Sequence, residues 1–177
     1  AARALPQALK ETLKLLPKNA HPMDIMRTAC SMLGCLESEE YDLHKLSFPM
    51  QQKIAVRLLG IFPSVLTFWH HYHHSGKEIS TQSNQDSIGG YFLELLHQKP
   101  PKELWVKAMH VSLILYAEHE FNASTFSARV ITATMSDIYS GITGAIGALR
   151  GPLHGGANEA AMELITEYKS PQEATQG

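Results

Sequence analysis

Proline and glycine cut this chain into stretches of helical length, and strict apolar-polar alternation over four or more residues is almost absent. That pattern leaves little room for a half-buried sheet and points to an all-α fold. Pro22-Met23-Asp24 has the form of a first helical turn, with proline at a position whose N–H is free anyway and an acid at the positive dipole end. The helix it opens is expected to run to about Leu36, with Ile25, Cys30, Met32 and Leu33 as its apolar content. Ser47-Phe48-Pro49 begins a long helix through His74, closed by Ser75-Gly76, and Pro63 is expected to kink it.

After a polar loop from Lys77 to Gln85, Asp86 can cap a short helix that carries Ile88, Phe92, Leu95 and Leu96 on one face. The stretch from about Lys102 to Ala117 is so densely apolar (Leu104, Trp105, Met109, Val111, Leu113, Ile114, Leu115) that it is expected to be buried in the middle of the core. Asn122 to Ser124 then cap one further long helix to about Leu149. Gly141, Gly144 and Gly147, with Ala145 and Ala148, leave a strip of that helix without bulky side chains. Each glycine costs roughly 1 kcal/mol relative to alanine, so the strip is expected to pack closely on another helix, in this chain or in a second subunit.

At 177 residues with 44% apolar and 18% charged side chains, the chain is core-rich, which excludes a disordered, strongly solvated polymer. Fifteen basic against seventeen acidic residues give a charge of −2, too little positive field to hold a nucleic acid or an acidic membrane. A small molecule or another protein is the expected partner. The longest weakly polar stretch, Ile138 to Leu149, is too short to span a bilayer. Cys30 and Cys35 match neither a zinc knuckle nor a CxxC redox site and are expected to be reduced, buried thiols of a cytoplasm-like compartment. A bacterial cytoplasm is the expected location; the chain does not begin with methionine, so its true start is expected to be lost and mitochondrial import is left open.

Two segments interrupt otherwise apolar helices with chemistry. The first is Tyr116-Ala-Glu-His-Glu-Phe-Asn-Ala-Ser-Thr125, whose polar groups need partners if buried, because an unpaired one costs about 1–3 kcal/mol. Either a ligand pocket supplies those partners, or Asn122 and Ser124 cap the next helix while His119 bonds a carbonyl. The second is Leu149-Arg-Gly-Pro-Leu-His-Gly-Gly-Ala-Asn-Glu159, where Gly-Pro breaks one helix and another opens from Gly155. The positive end of a helix disfavours a cationic imidazole, so His154 is suited to donate a hydrogen bond as a neutral ring, a known way to enolise a carbonyl substrate. The alternative is a glycine-rich turn with an incidental histidine. His70, His71, His73 and His74 are conspicuous, and His70 and His74 are spaced to share a face. No HExxH glutamate accompanies them and cations suit a last helical turn, so no metal site is assigned. Phosphate-binding glycine signatures and a serine-nucleophile elbow are absent.

His21-Pro-Met before a helix, the Glu-His-Glu-Phe-Asn-Ala-Ser segment and Gly151-Pro-Leu-His-Gly-Gly-Ala-Asn-Glu occur in the order and separation of the citrate synthase family, which the chain resembles over essentially its whole length. Asp86-Ser-Ile-Gly-Gly, Leu115-Tyr-Ala-Glu-His-Glu-Phe-Asn-Ala-Ser-Thr-Phe and Ala148-Leu-Arg-Gly-Pro look most like the 2-methylcitrate synthase branch. The resemblance implies a multihelical fold in which residues 1–154 belong to the large domain and 155–177 begin the small one. It implies an acyltransferase that condenses propionyl-CoA with oxaloacetate and water to 2-methylcitrate and CoA in propionate catabolism, or acetyl-CoA to citrate in the tricarboxylic acid cycle. A helical scaffold without catalysis is the competing class.

By the same resemblance His154 is the catalytic histidine that hydrogen-bonds the thioester carbonyl, His119 binds oxaloacetate with Asn122 close to the same pocket, and Ser124 orients His154 through its other ring nitrogen. Acyl-CoA and oxaloacetate are substrates, no metal or other cofactor is implied, and a homodimer or higher homo-oligomer is. The family's aspartate base, second catalytic histidine and most carboxylate-binding arginines belong to a later motif that nothing after His154 matches, so the chain reads as the middle of a longer enzyme. Tyr116 stands three residues before His119, where a change could reshape the acyl end of the pocket. One methylene is worth only about 1–3 kcal/mol of discrimination, so use of both acyl groups is compatible with the motifs.

Overall fold

The structure, a computed structural model, describes residues 3–37 and 48–176, with backbone alone at positions 48, 49, 158 and 176. Every regular element among the described residues is an α-helix: α1 (Gln7–Leu15), α2 (Pro22–Leu36), α3 (Phe48–Ser75), α4 (Ile88–His97), α5 (Glu103–Tyr116), α6 (Ala123–Thr132), α7 (Ile138–Leu149), α8 (Gly156–Glu167) and α9 (Pro171–Gln176). The all-α expectation holds. None of the helices is long and apolar enough to cross a membrane.

The core is built on α3, where Leu58, Ile61, Val65, Phe68 and Trp69 recur at the helical period and are buried. Against them lie Leu9 and Leu13 of α1, Ile25, Ala29, Cys30 and Leu33 of α2, and Tyr91 and Leu95 of α4. Burying a leucine side chain contributes about 1.5–3 kcal/mol, so the four-residue spacing of Leu9 and Leu13 is enough to dock the short α1, a helix the periodicity reading did not pick out. α2 starts at Pro22, as the first-turn signal predicts, and α3 continues through Pro63 to a left-handed Gly76 at φ 68°. Ser47 lies outside the described residues.

The histidine cluster belongs to this packing. His71 donates from Nε2 to the carbonyls of Leu95 and Leu96, both at 3.1 Å, and His73 donates from Nε2 to the carbonyl of Leu13 at 3.0 Å. The imidazoles thereby tie the ends of α4 and α1 to α3. His74 donates from Nδ1 to the carbonyl of His70, whose ring stacks on it with centroids 4.5 Å apart, an arrangement that does not aim the two rings at a common point. Among the described residues no three metal-ligating side chains converge.

Four sequence expectations change. The cap of α4 is Ser87, whose Oγ accepts from the Gly90 N–H at 2.9 Å; Asp86 sits one residue too early, and Tyr91, Leu93 and Leu95 form the buried face while Ile88 is exposed. Cys35 is exposed rather than buried. Five residues correspond to 500° of helical turn, so Cys30 and Cys35 face directions about 140° apart and only Cys30 reaches the core. Its thiol contacts the Tyr139 carbonyl at 3.6 Å, and burial pushes its pKa up. The stretch from Asn122 to Leu149 is a helical hairpin rather than one helix: Met135 adopts φ 67° and Asp137 restarts the chain as N-cap of α7 by accepting from the Ser140 N–H at 2.8 Å. The glycine strip then closes inside the chain, since a Cβ at Gly141 would meet Thr132 Cγ2 at 2.8 Å and one at Gly144 would collide with Ile131. Finally, α5 keeps its predicted bounds but has no buried residue; Leu104, Ile114 and Leu115 are 74%, 64% and 73% exposed. Among the described residues it leans mainly on α4.

Candidate functional site

The site is assembled where three chain segments meet: the start of α6, the turn between α7 and α8, and the first turn of α2. At the start of α6, Asn122 adopts an extended backbone and its Oδ1 accepts from the Thr125 N–H at 2.9 Å, the capping role that residue type favours. This places Ser124 in the first helical turn with its hydroxyl free to point outward from the helix. α7 ends at Leu149, and the chain folds back through Gly151 to Gly155 with the His154 and Gly156 N–H groups both on the Gly151 carbonyl, at 3.0 and 3.4 Å. Gly155 is obligatory here. A Cβ would collide with the Leu149 carbonyl oxygen, so the chain re-enters helix α8 only because that position has no side chain.

The two motifs meet in one bond: Ser124 Oγ and His154 Nε2 are 2.8 Å apart, on a half-buried pair. The same oxygen and nitrogen can be bonded with either as donor. When the serine donates, the imidazole proton is placed on Nδ1, and Nδ1–H becomes the group offered to a ligand. The sequence separation of thirty residues is bridged by the α6–α7 hairpin, whose tight glycine packing sets the distance between its two open ends.

His119 sits elsewhere in this arrangement, and Asn122 enters it as the cap of α6. His119 is exposed in the connection between α5 and α6, where Glu120 takes φ 49° and its N–H is held by the Glu118 carboxylate. Phe121 meets Phe126 edge to face with centroids 5.8 Å apart, and the Arg129 guanidinium lies 4.9 Å over the Phe121 ring, so the turn is folded onto α6. His119 and His154 share no contact in this structure. Asn122 has committed its oxygen to the cap, which leaves its amide N–H groups available.

Beside the His154 turn lies a cavity of about 270 Å³ lined by His21, Met23, Arg150, Pro152, Gly156 and Glu159, among others. Its charged walls are paired: Arg150 Nε with Asp24 Oδ2 at 3.6 Å, and His21 Nε2 with Glu159 Oε1 at 3.4 Å. His21 also caps α2, its Nδ1 accepting from the Met23 N–H at 3.1 Å. The sequence reading singled out His21 only as part of a motif and left Arg150 unassigned; neither pairing is visible without the fold. A larger hollow of about 580 Å³ between α8 and α9 is open and lined by Leu164, Ile165, Tyr168, Lys169, Ser170 and Pro171, among others.

The profile described as "Citrate synthase, C-terminal domain" matches residues 1–177. The chain belongs to the citrate synthase family. It is 59% identical over 172 residues to a 2-methylcitrate synthase of Shewanella oneidensis, covering 97% of this chain and 44% of that protein. It is 43% identical over 167 residues to a citrate synthase of Heyndrickxia coagulans, covering 94% and 43%. Its fold superposes on the citrate synthase of Thermoplasma acidophilum, solved as a ternary complex with carboxymethyl coenzyme A and oxaloacetate, with a TM-score of 0.81 at 29% identity over 99% of this chain and 45% of that one. The chain therefore spans a little under half the length of the relatives it matches.

Proposed function

We propose that the protein carrying this chain is a 2-methylcitrate synthase, joining propionyl-CoA to oxaloacetate with water to release 2-methylcitrate and CoA. The observation that carries this reading is the 2.8 Å bond between Ser124 and His154 at the entry to α8, in a chain 59% identical to a relative of that name. Removal of the α-proton of the thioester makes an enolate whose oxygen needs a hydrogen-bond donor, and His154 Nδ1–H supplies it. Ser124 holds the proton on Nδ1 by donating to Nε2. The α-carbon then attacks the ketone carbon of oxaloacetate, the ketone oxygen takes up a proton, and water cleaves the thioester to free CoA. His119 is the oxaloacetate ligand, with the Asn122 amide beside it as a donor to a carboxylate. The α-proton base and the acid at the ketone come from outside residues 1–177, and no metal or other cofactor takes part.

Residues 1–154 form part of the large domain and 155–177 begin the small one. In support, α5 packs on α4 and α6 on α7, whereas neither α8 nor α9 packs closely on any of α1 to α7 among the described residues. The working enzyme is a homodimer, which the uncovered apolar faces of α5 and α6 support (Leu104, Ile114, Leu115, Phe126 and Val130). A bacterial cytoplasm is the proposed location, in line with the bacterial source of both curated relatives.

The 43% identical citrate synthase favours acetyl-CoA as a second reading. Thiol release by the complete protein with oxaloacetate and either acyl-CoA separates the two. Higher kcat/KM with propionyl-CoA is expected, and equal or higher efficiency with acetyl-CoA would sink the methylcitrate assignment. The isolated 177-residue chain is expected to be inactive.

A further inference from the structure

The turn that carries His154 is not anchored by burial. Pro152 is exposed and Leu153 is 103% exposed, so no side chain there is driven into a core. Its internal bonds are the two N–H groups on the Gly151 carbonyl, and its imidazole leans on Ser124. The remaining ties to the body of the protein lie at its two ends and converge on one element. Arg150, the C-cap of α7, reaches Asp24, and Glu159, in the first turn of α8, reaches His21.

Both receiving groups are themselves fixed. Asp24 is bound at 3.0 Å by Arg27, one helical turn further along α2. His21 is oriented by accepting the Met23 N–H at Nδ1, which in the neutral ring leaves the proton on Nε2, facing the Glu159 carboxylate. Pairs as exposed as these add little to the stability of a fold. Their common feature is position: one precedes His154 by four residues and the other follows it by five.

We infer that the first turn of α2 is a clamp for the catalytic turn, with Asp24 and His21 acting as positioning residues that hold Arg150 and Glu159 on either side of His154. This rests on the reading of His154 as the thioester-polarising group. Loosening either end lets the imidazole leave Ser124 and spend less time in the productive geometry, while substrate binding to other residues is unaffected.

The test uses Asp24→Asn, Arg150→Met, the double variant and Asp24→Glu in the complete protein. Three quantities are followed: kcat with KM for both substrates, the thermal midpoint, and the rate at which diethylpyrocarbonate modifies His154, mapped by peptide mass spectrometry. Each single variant is expected to lower kcat on the order of three- to tenfold with KM within about twofold, and to speed His154 modification by a similar factor. The double variant is no worse than the poorer single one, because both break the same link. Asp24→Glu recovers most of kcat. Should Asp24→Asn fail to fold, Glu159→Gln on the exposed end of the clamp gives the same readouts. Unchanged kcat and modification rate in folded variants overturn the clamp, as does an Arg150→Met variant that raises KM for oxaloacetate at constant kcat, which makes Arg150 a substrate ligand. If the wild-type protein condenses no acyl-CoA, the catalytic reading of His154 falls, and the modification rates alone decide the clamp.

Discussion

Single residues carry both the proposed chemistry and a measurable stake in stability. In the proposed mechanism Ser124 donates its hydroxyl to one ring nitrogen of His154, so Ser124→Ala removes the tautomer constraint and little else. A drop in kcat of roughly tenfold to a hundredfold with a nearly unchanged thermal midpoint is expected from steady-state kinetics. Wild-type kcat in that variant would remove Ser124 from the mechanism. Tyr139 is a second case. It is buried, and its hydroxyl donates at 3.3 Å to the Glu37 carboxylate, which Arg57 binds through Nη2 at 2.7 Å. Burial first, then the Glu37 charge and hydrogen bond, push its phenol from 10.0 up to about 12. The folded state therefore keeps a proton that the unfolded state releases above pH 10, and the stability this provides is intact below pH 10 and lost as pH rises towards 12. Urea midpoints measured across that window should fall more steeply for wild type than for Tyr139→Phe; parallel curves would contradict the assignment. The motif residues His119, Asn122, Ser124 and His154 were legible in the sequence because their order is specific. The bond between Ser124 and His154 was implied by resemblance, whereas the pairing of His21 with Glu159 and of Asp24 with Arg150 had no signal, since helical periodicity says nothing about which distant charges meet.

For whole elements, boundaries were easier to read than partners. α2, α3 and α5 start and stop close to their proline, glycine and capping signals, because those signals act on the local backbone. The 122–149 stretch misled because neither proline nor glycine marks its break; the cue was Ser136-Asp137, a capping residue that had to compete with continuing helix. The glycines explain themselves only in the pair of helices they join. Gly34 of α2 faces Tyr139 of α7, and a Cβ there would sit 2.9 Å from Tyr139 Cβ, an atom next to the backbone that cannot swing aside. Overpacking of this kind costs about 1–3 kcal/mol, against about 1 kcal/mol gained in helix propensity. Gly34→Ala is thus expected to lower the thermal midpoint by a few degrees in calorimetry, and an unchanged midpoint would show that α7 can shift off α2 at no cost.

At the scale of the molecule, the uncovered apolar face of α5 is the feature that most needs a partner. Leu104, Val111 and Leu115 follow the helical stripe spacing and all are exposed, so hydrophobicity was correctly read and its cover was not. On the homodimer proposal, Val111→Glu with Leu115→Glu places charges in the interface and should shift the complete protein from dimer to monomer in sedimentation velocity. Unchanged sedimentation would assign that face to another part of the same chain. By itself the sequence determined the helical class, most helix ends and the family, because each depends on short-range backbone preference or on residue order. The tertiary structure alone decided that α6 and α7 form a hairpin, that Ser124 meets His154 while His119 stays apart, and that His21 and Asp24 at the start of α2 pair with Glu159 and Arg150 on either side of His154. Those outcomes depend on which surfaces pack, and packing is a property of pairs of elements that no single stretch of sequence contains.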